Sequence, residues 1–292
     1  MDSITHTLFG LALYEATNKE GMEKPMKRAL LVTAIGGSQI PDIDVISQLW
    51  DTGGMYQMWH RGITHSIFLV PIWALLFYFV SRLLFRVREA RIFWLALLAV
   101  FIHDTSDLFN AWGTGYLEPF SSTRITFGTI PIVDFIIWFI LLVAFIIARR
   151  PRFSPHLVYK WAFACIVLHV FVQSAQGYAL YQTYKTKYEQ LTLSASFLPG
   201  HFSVIGKNEN IVEITDDSIF SKPKLQYRLV SQENANLDKL FKEVPAAKTL
   251  SQWAPFVVVV DSEDRLGIYD PRFYRNGQSF LFEYLEKNGK VE

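Results

Sequence analysis

The chain has 292 residues, 51% of them hydrophobic and 19% charged, with 24 Phe, 13 Tyr and 8 Trp. The charged share is below the quarter usual in soluble domains, and a net charge of +1 gives no electrostatic case for nucleic acid. The single cysteine, Cys165 in "WAFACIVLHVFV", excludes an internal disulfide and a thiolate zinc cluster.

The start, "MDSITHTLFGLALYEA", is apolar but has no basic leader region, since Asp2 and His6 stand where one would be. It is expected to be retained and structural rather than a signal peptide. Two short helices come first. One runs over Ser3–Ala16 with Ser3 as its cap, and one over Met26–Ile40, ending at Pro41. At this length each covers only about 21 Å, so they are short spans or helices packed inside a bundle. Four longer apolar segments follow: Ile63–Ser81, Ile92–Phe109, Ile130–Ala148 and Lys160–Tyr178. Each approaches the roughly 20 residues that cross a bilayer core, which predicts four long spans.

Residues 1–184 are therefore expected to form an α-helical polytopic membrane domain holding a metal site. Residues 185–292 are charged throughout and broken by Asn, Ser, Pro and Gly, and are expected to form a small β-rich (α+β) soluble domain. Within it "FVVVVDS" reads as a buried strand. "LGIYDP" and "SFLFEYL" flank "RFYRNGQ", a hairpin pattern with its turn at or near Asn276-Gly277.

Loop charges orient the membrane part. Lys19, Lys24, Lys27 and Arg28 lie in one loop, Arg82, Arg86, Arg88 and Arg91 in another, and Arg149, Arg150, Arg152 and Lys160 in a third. The alternate loops hold only Arg61 and Arg124. Twelve bases against two is a strong positive-inside asymmetry. It predicts that the basic loops are cytoplasmic, and that the start of the chain, residues 41–62, 104–129 and 179–292 face outward. A multi-pass membrane location is expected.

On this topology the polar outliers collect on one side. His6 is in the first turns of the first helix. "IPDIDVI" puts Asp42 and Asp44 after the second, and "HRGITHS" puts His60 and His65 at the entrance of the next span. "FIHDTSDLFNAWG" puts His103, Asp104 and Asp107 near the end of the following one. His103 and Asp107 are i,i+4 and share a helix face, while Asp104 points about 100° away. His60 and His65 cannot share a helical face, so His60 is assigned to the loop and His65 to the first turn, with Gly62 letting the chain bend. Asp42 and Asp44 align only if their segment is extended. Each cluster alone has an ordinary reading: a core histidine, a turn, an interfacial loop. Ionisable groups inside an apolar span are costly and point to function, and four clusters at one level point to one site.

Imidazole and carboxylate are ligands for Zn²⁺, Mn²⁺ and Fe²⁺. The inventory suits two or more divalent ions, zinc first and Mn²⁺ next, in a site that activates water and neutralises an anionic leaving group. Arg61 and Arg124 are candidates for holding a phosphorylated or otherwise anionic substrate, and Asp44 or Asp104 for the general base. Asp134 in "PIVDFI" is a candidate anchor for Arg124 or a ligand histidine. His156, His169 and His201 have no acidic neighbour at useful spacing and are left out.

"MDSITHTLFG", "PDID", "HRGITHS" and "HDTSDLFNAWGTGYLEPFSSTR", in that order, resemble the YdjM-like family of bacterial inner-membrane metal-dependent hydrolases, over about residues 1–150. The resemblance implies a polytopic membrane protein with a metal site built from His6, Asp42, His60, His65, His103 and Asp107. Asp44, Arg61, Thr64, Ser66, Arg124 and Asp134 lie within or beside the same motifs. The His103–Asp107 pair is also similar, less specifically, to the histidine-and-aspartate helix of zinc-dependent phospholipase C. The expected function is cleavage of an ester or phosphoester of a lipid-linked or envelope substrate at the bilayer surface by metal-activated water. A regulator or assembly factor with a structural ion is the alternative, and a metal transporter ranks last because the cytoplasmic halves offer almost no polar ligands. The sequence does not specify an oligomeric state.

Overall fold

The computed structural model describes residues 1–287. It divides into two compact units, one made of residues 1–44, 61–126 and 130–174, the other of residues 45–60, 127–129 and the chain from 175 on.

The first unit is helical. Helix α1 (Ser3–Ala16) is capped by Asp2, one residue before the predicted cap, whose carboxylate accepts from the Ile4 and Thr5 amides. Helix α2 (Lys24–Gly37) starts with Pro25 in its first turn and stops before the predicted end. The chain then passes through Pro41 in a 3₁₀ run over Ile40–Leu49. Helices α4 (Val70–Leu84), α5 (Ala90–Asp107) and α6 (Phe135–Ala148) follow, then the first two-thirds of α7 (Pro155–Tyr184). A Cβ added to Gly10 of α1 would sit 2.8 Å from the Ala34 carbonyl oxygen, so glycine is what lets α1 and α2 touch backbone to backbone. Phe9, Ala12, Ile137, Leu141, Tyr159, Ala162 and Ile166 form a core between α1, α6 and α7.

Four long spans are not what the chain folds into. Among the described residues one helix, Pro155–Tyr184, is long and apolar enough to cross a membrane by itself. The number rises to three if Lys24–Gly37 with Ile40–Leu49, and Tyr56–His65 with Val70–Leu84, each count as one bent span. The reason is length and polarity. α4 has 15 residues and α6 has 14, or about 21–22 Å at 1.5 Å per residue, short of the ~30 Å hydrocarbon core. α5 ends in buried His103, Asp104 and Asp107. Large apolar side chains still face outward in number, among them Phe139, Leu142 and Phe145 on α6 and Val167, Leu168 and Phe171 on α7. A surface this apolar suits contact with lipid.

The second unit is β-rich, as expected from its composition. Strands β1 (Gln190–Ala195), β2 (His201–Asn208), β3 (Ile211–Ser218) and β4 (Ser221–Val230) form an antiparallel meander in chain order. Two short helices, α8 (Asp238–Glu243) and α9 (Pro245–Trp253), lead to β5 (Val258–Asp261) and β6 (Arg265–Tyr269). β7 (Tyr274–Arg275) and β8 (Gln278–Ser279) form a small hairpin, and β9 (Phe282–Glu286) pairs with β6. The β7–β8 turn is Asn276-Gly277, both at positive φ (54° and 85°), the conformation a two-residue hairpin loop favours. Ile205, Val212, Ile214, Phe256 and Val258 fill the space between the sheets. The short helix α3 (Tyr56–Trp59) belongs to this unit and packs against α9.

Candidate metal centre

Three segments of the helical unit bring their polar groups to one point. The first is the 3₁₀ run after α2. Successive residues in a 3₁₀ helix turn by about 120°, so Asp42 and Asp44 diverge instead of aligning. They straddle one imidazole: Asp42 Oδ1 lies 3.3 Å from His65 Nε2, and Asp44 Oδ2 lies 3.4 Å from His65 Nδ1. The second segment is a single 3₁₀ turn, Ile63–His65, separated from α4 by residues 66–69. The bend before it is made by Arg61, at φ 57°, together with Gly62, at φ −83° and ψ −130°, outside both the helical and the extended regions. The third is the last turn of α5, where the i,i+4 spacing sets His103 Nε2 3.8 Å from Asp107 Oδ2.

The four residues Asp42, His65, His103 and Asp107 offer one ligand atom each, all within 4.8 Å of one another. His65 and His103 face each other Nε2 to Nε2 at 3.1 Å. His65 Nε2 is 3.6 Å from Asp107 Oδ2, and His103 Nε2 is 3.6 Å from Asp42 Oδ1. Zinc bonds of 2.0–2.2 Å arranged tetrahedrally need ligands about 3.3–3.6 Å apart, so the spacings fit such an ion. Proton placement supports the fit. His103 Nδ1 is 2.7 Å from the Ser38 carbonyl, which can only accept, so Nδ1 carries the proton and Nε2 a lone pair. Asp44 behind His65 Nδ1 imposes the same arrangement there. Two imidazole lone pairs and two carboxylates thus converge on one point. All but the partly exposed Asp42 are fully buried.

Around this quartet the other candidate residues are distributed unequally. His6 is fully buried on α1, stacked on the His103 ring (centroids 3.6 Å apart), with Nε2 3.3 Å from Asp107 Oδ1. The backbone nitrogen of Met1 also lies against Asp107 Oδ1. Asp44 Oδ2 accepts from Thr64 Oγ1 (2.6 Å) and the Arg61 amide (2.8 Å). Asp104 is fully buried and, among the described residues, neither of its oxygens has a hydrogen-bond partner. His60 lies in the other compact unit, after α3, with its ring stacked on Tyr56; it is not one of the four.

Arg61 was expected to offer its guanidinium to an anion, but the side chain is already engaged. Nε is 3.2 Å from Asp107 Oδ2, Nη1 donates to Asn110 Oδ1 (3.0 Å) and Nη2 to the Met1 carbonyl (2.8 Å). Arg124 donates from Nη1 to the Arg61 carbonyl (2.7 Å) and has Nη2 3.9 Å from Glu118. Burial pulls the Arg124 guanidinium down from its ordinary value, against the pull of Glu118 and Asp44. Burial likewise pushes the Glu118 carboxyl up, against Arg124. Asp134 anchors neither Arg124 nor a ligand histidine. It caps α6 through the Ile136 and Ile137 amides and pairs with His169 Nε2 at 2.8 Å, a histidine that sequence spacing had set aside. Ser38 and Asn110 are contributors that no sequence pattern marked. Asn110 sits inside the "HDTSDLFNAWG" motif, where its full burial was the missing signal.

A helical, lipid-facing unit with a buried His/Asp cluster able to hold a metal ion defines a class of membrane protein. The chain belongs to the YdjM inner membrane protein family, whose family model matches residues 1–177. The curated relative YfhP of Bacillus subtilis (strain 168), described as an uncharacterized protein, is 35% identical over 138 residues. That alignment covers 46% of this chain and 42% of the relative's length, so it spans less than half of either protein. No solved structure matches the chain.

Proposed function

We propose that this protein is a multi-pass, membrane-bound, metal-dependent hydrolase acting on an ester or phosphoester of a lipid-linked or otherwise anionic phosphorylated substrate at the outer face of the inner membrane. The observation that carries the reading is the convergence of Asp42, His65, His103 and Asp107 within 4.8 Å. The N/O donor set and its near-tetrahedral spacing favour Zn²⁺, with Mn²⁺ next. His6, beside the second oxygen of Asp107, and Asp104 are the groups available to a further ion. A divalent ion held there supplies Lewis-acid polarisation of the scissile group and a lowered pKa for water.

The chain's own residues do the rest. Asp44 fixes the tautomer and plane of His65, and the Ser38 carbonyl fixes His103. Arg61 braces Asp107 and, through its backbone, is itself held by Arg124. Asp104, a buried carboxylate without a hydrogen bond among the described residues, is the group best able to accept a proton. Arg124 is the basic group nearest to serving an anion. The outward orientation rests on the twelve bases in alternate loops against Arg61 and Arg124 in the others.

One observation favours a second reading, a non-catalytic regulator or assembly factor with a structural ion. Four protein ligands close a tetrahedral site, whereas catalytic zinc keeps a position open. The test is to purify the chain in detergent, measure metal by ICP-MS, and assay phospholipid and generic phosphoester hydrolysis. Stoichiometric metal with chelator-sensitive turnover is expected. Metal without turnover on any ester favours the structural reading, and metal-free protein with unchanged stability in chelator overturns both.

A further inference from the structure

The four-stranded sheet has one polar end and one apolar end. At the apolar end, β1 and β2 are joined by residues 196–200, and β3 and β4 by Ile219-Phe220. In an up-and-down meander these two turns emerge side by side. They touch: a Cβ on Gly200 would lie 2.9 Å from the Phe220 ring. Their side chains project into solvent, with Phe197 55%, Leu198 64%, Ile219 49% and Phe220 74% exposed. Tight hairpin loops ordinarily take Asn, Asp or Gly, and the other turns here obey. Glu209-Asn210 closes β2–β3 at the opposite end of the sheet, and Asn276-Gly277 closes β7–β8. Two adjacent tips that break the local rule point to a task outside the fold.

Their height along α7 shows what that task is. The same added Cβ on Gly200 would lie 3.1 Å from Gln176 Oε1, and one on Gly177 would lie 3.1 Å from the Phe202 ring. The tips are therefore level with Gln176–Gly177. The apolar run of α7 ends at Val172, four residues earlier, or about 6 Å along the helix. Its last turns expose Val167, Leu168, Phe171 and Val172. Gln176 and Gly177, beside which the tips lie, thus stand about one turn past the end of the apolar run of α7. Exposed Lys222 and Lys224 follow the Ile219-Phe220 tip, a pairing of apolar and basic groups that suits an anionic lipid surface.

We propose that the Phe197-Leu198 and Ile219-Phe220 tips are a membrane-dipping surface that seats the β-rich unit on an anionic phospholipid bilayer. The proposal rests on α7 as a membrane helix and not on hydrolysis. In the full chain with Cys165→Ser, single cysteines at Ile219→Cys and, as a second reporter, Leu198→Cys are labelled with an environment-sensitive fluorophore. Asn210→Cys, at the polar end, is the control. The proteins are reconstituted into phosphatidylethanolamine/phosphatidylglycerol vesicles with or without headgroup-level nitroxide lipid. Both tip labels are expected to emit to the blue of the Asn210→Cys label and to be quenched by the nitroxide, while the control is not. Tip labels as water-exposed and unquenched as the control overturn the proposal. So does a blue shift without quenching that fades as protein is diluted in lipid, since that places a second copy of the chain on the tips.

Discussion

Replacing Asp44 with Asn tests the centre where sequence and structure together make the sharpest statement. The substitution preserves shape, and the amide oxygen can still accept from Thr64 Oγ1 and the Arg61 amide, now 2.6 and 2.8 Å from the carboxylate. What it removes is the negative charge 3.4 Å behind His65 Nδ1. That charge keeps the proton on Nδ1 and makes Nε2 the more basic donor. Losing such a partner typically weakens metal affinity by about 10–100-fold, equivalent to about 1.4–2.7 kcal/mol. His103→Ala removes a ligand outright and is expected to lose the metal. The assay is equilibrium competition for zinc against a chromogenic chelator in detergent, with stoichiometry by ICP-MS. The expected order of affinity is parent chain, then Asp44→Asn, then His103→Ala. If Asp44→Asn binds as tightly as the parent, His65 needs no negative charge behind it, and the role given to the Asp44 charge is refuted.

Gly10→Val should force α1 off α2, where a Cβ would meet Ala34 O at 2.8 Å. Overpacking of this kind costs about 1–3 kcal/mol, so a lower detergent melting temperature is expected, together with reduced metal content because His6 and the Asp42 segment move apart. In the β-rich unit, buried Arg272 grips Asp270 with Nη2–Oδ2 at 2.6 Å and lies over the Trp253 ring. Asp270→Ala should cost about 3–5 kcal/mol by stranding a buried charge, and the double variant Asp270→Ala/Arg272→Met should recover part of the loss, read as resistance to limited proteolysis. The Tyr188 hydroxyl, first, and Lys187 hold the Glu213 carboxyl below its ordinary value. Its contribution to stability is therefore present above the unfolded value of about 4.3, and is lost as pH falls through the lower folded value. Glu213→Gln should flatten that acid limb in a melting-temperature series by lowering the melting temperature at neutral pH while leaving the acid end nearly unchanged.

Much of the helical unit was readable because long apolar runs with polar interruptions leave few choices. His103 and Asp107 share a helix face at the spacing that predicted it, and Asp42 and His65 meet them. What failed was whatever depended on local conformation or on distant partners. The apolar stretch from Ile63 counts as a span by composition, yet α4 begins only at Val70, with Pro71 in its first turn. Asp42 and Asp44 diverge because "IPDIDVI" winds as 3₁₀ instead of extending. His169 found Asp134, 35 residues away in sequence, a pairing that packing of α7 on α6 creates and that no spacing rule could indicate. The commitment of the Arg61 guanidinium to Asp107 and Asn110 is likewise a product of burial, invisible in a motif that only says arginine.

The four converging groups come from the segment after α2, the turn before α4 and the end of α5. Synthesis delivers these one after another. Until α5 has emerged and docked, Asp42 and His65 have neither His103 nor Asp107 to meet. The cluster is therefore a coincidence detector for assembly of the N-terminal half. It closes only when three separately made pieces have come together, so a chain with any one of them misplaced would be recognisable by the centre it fails to complete.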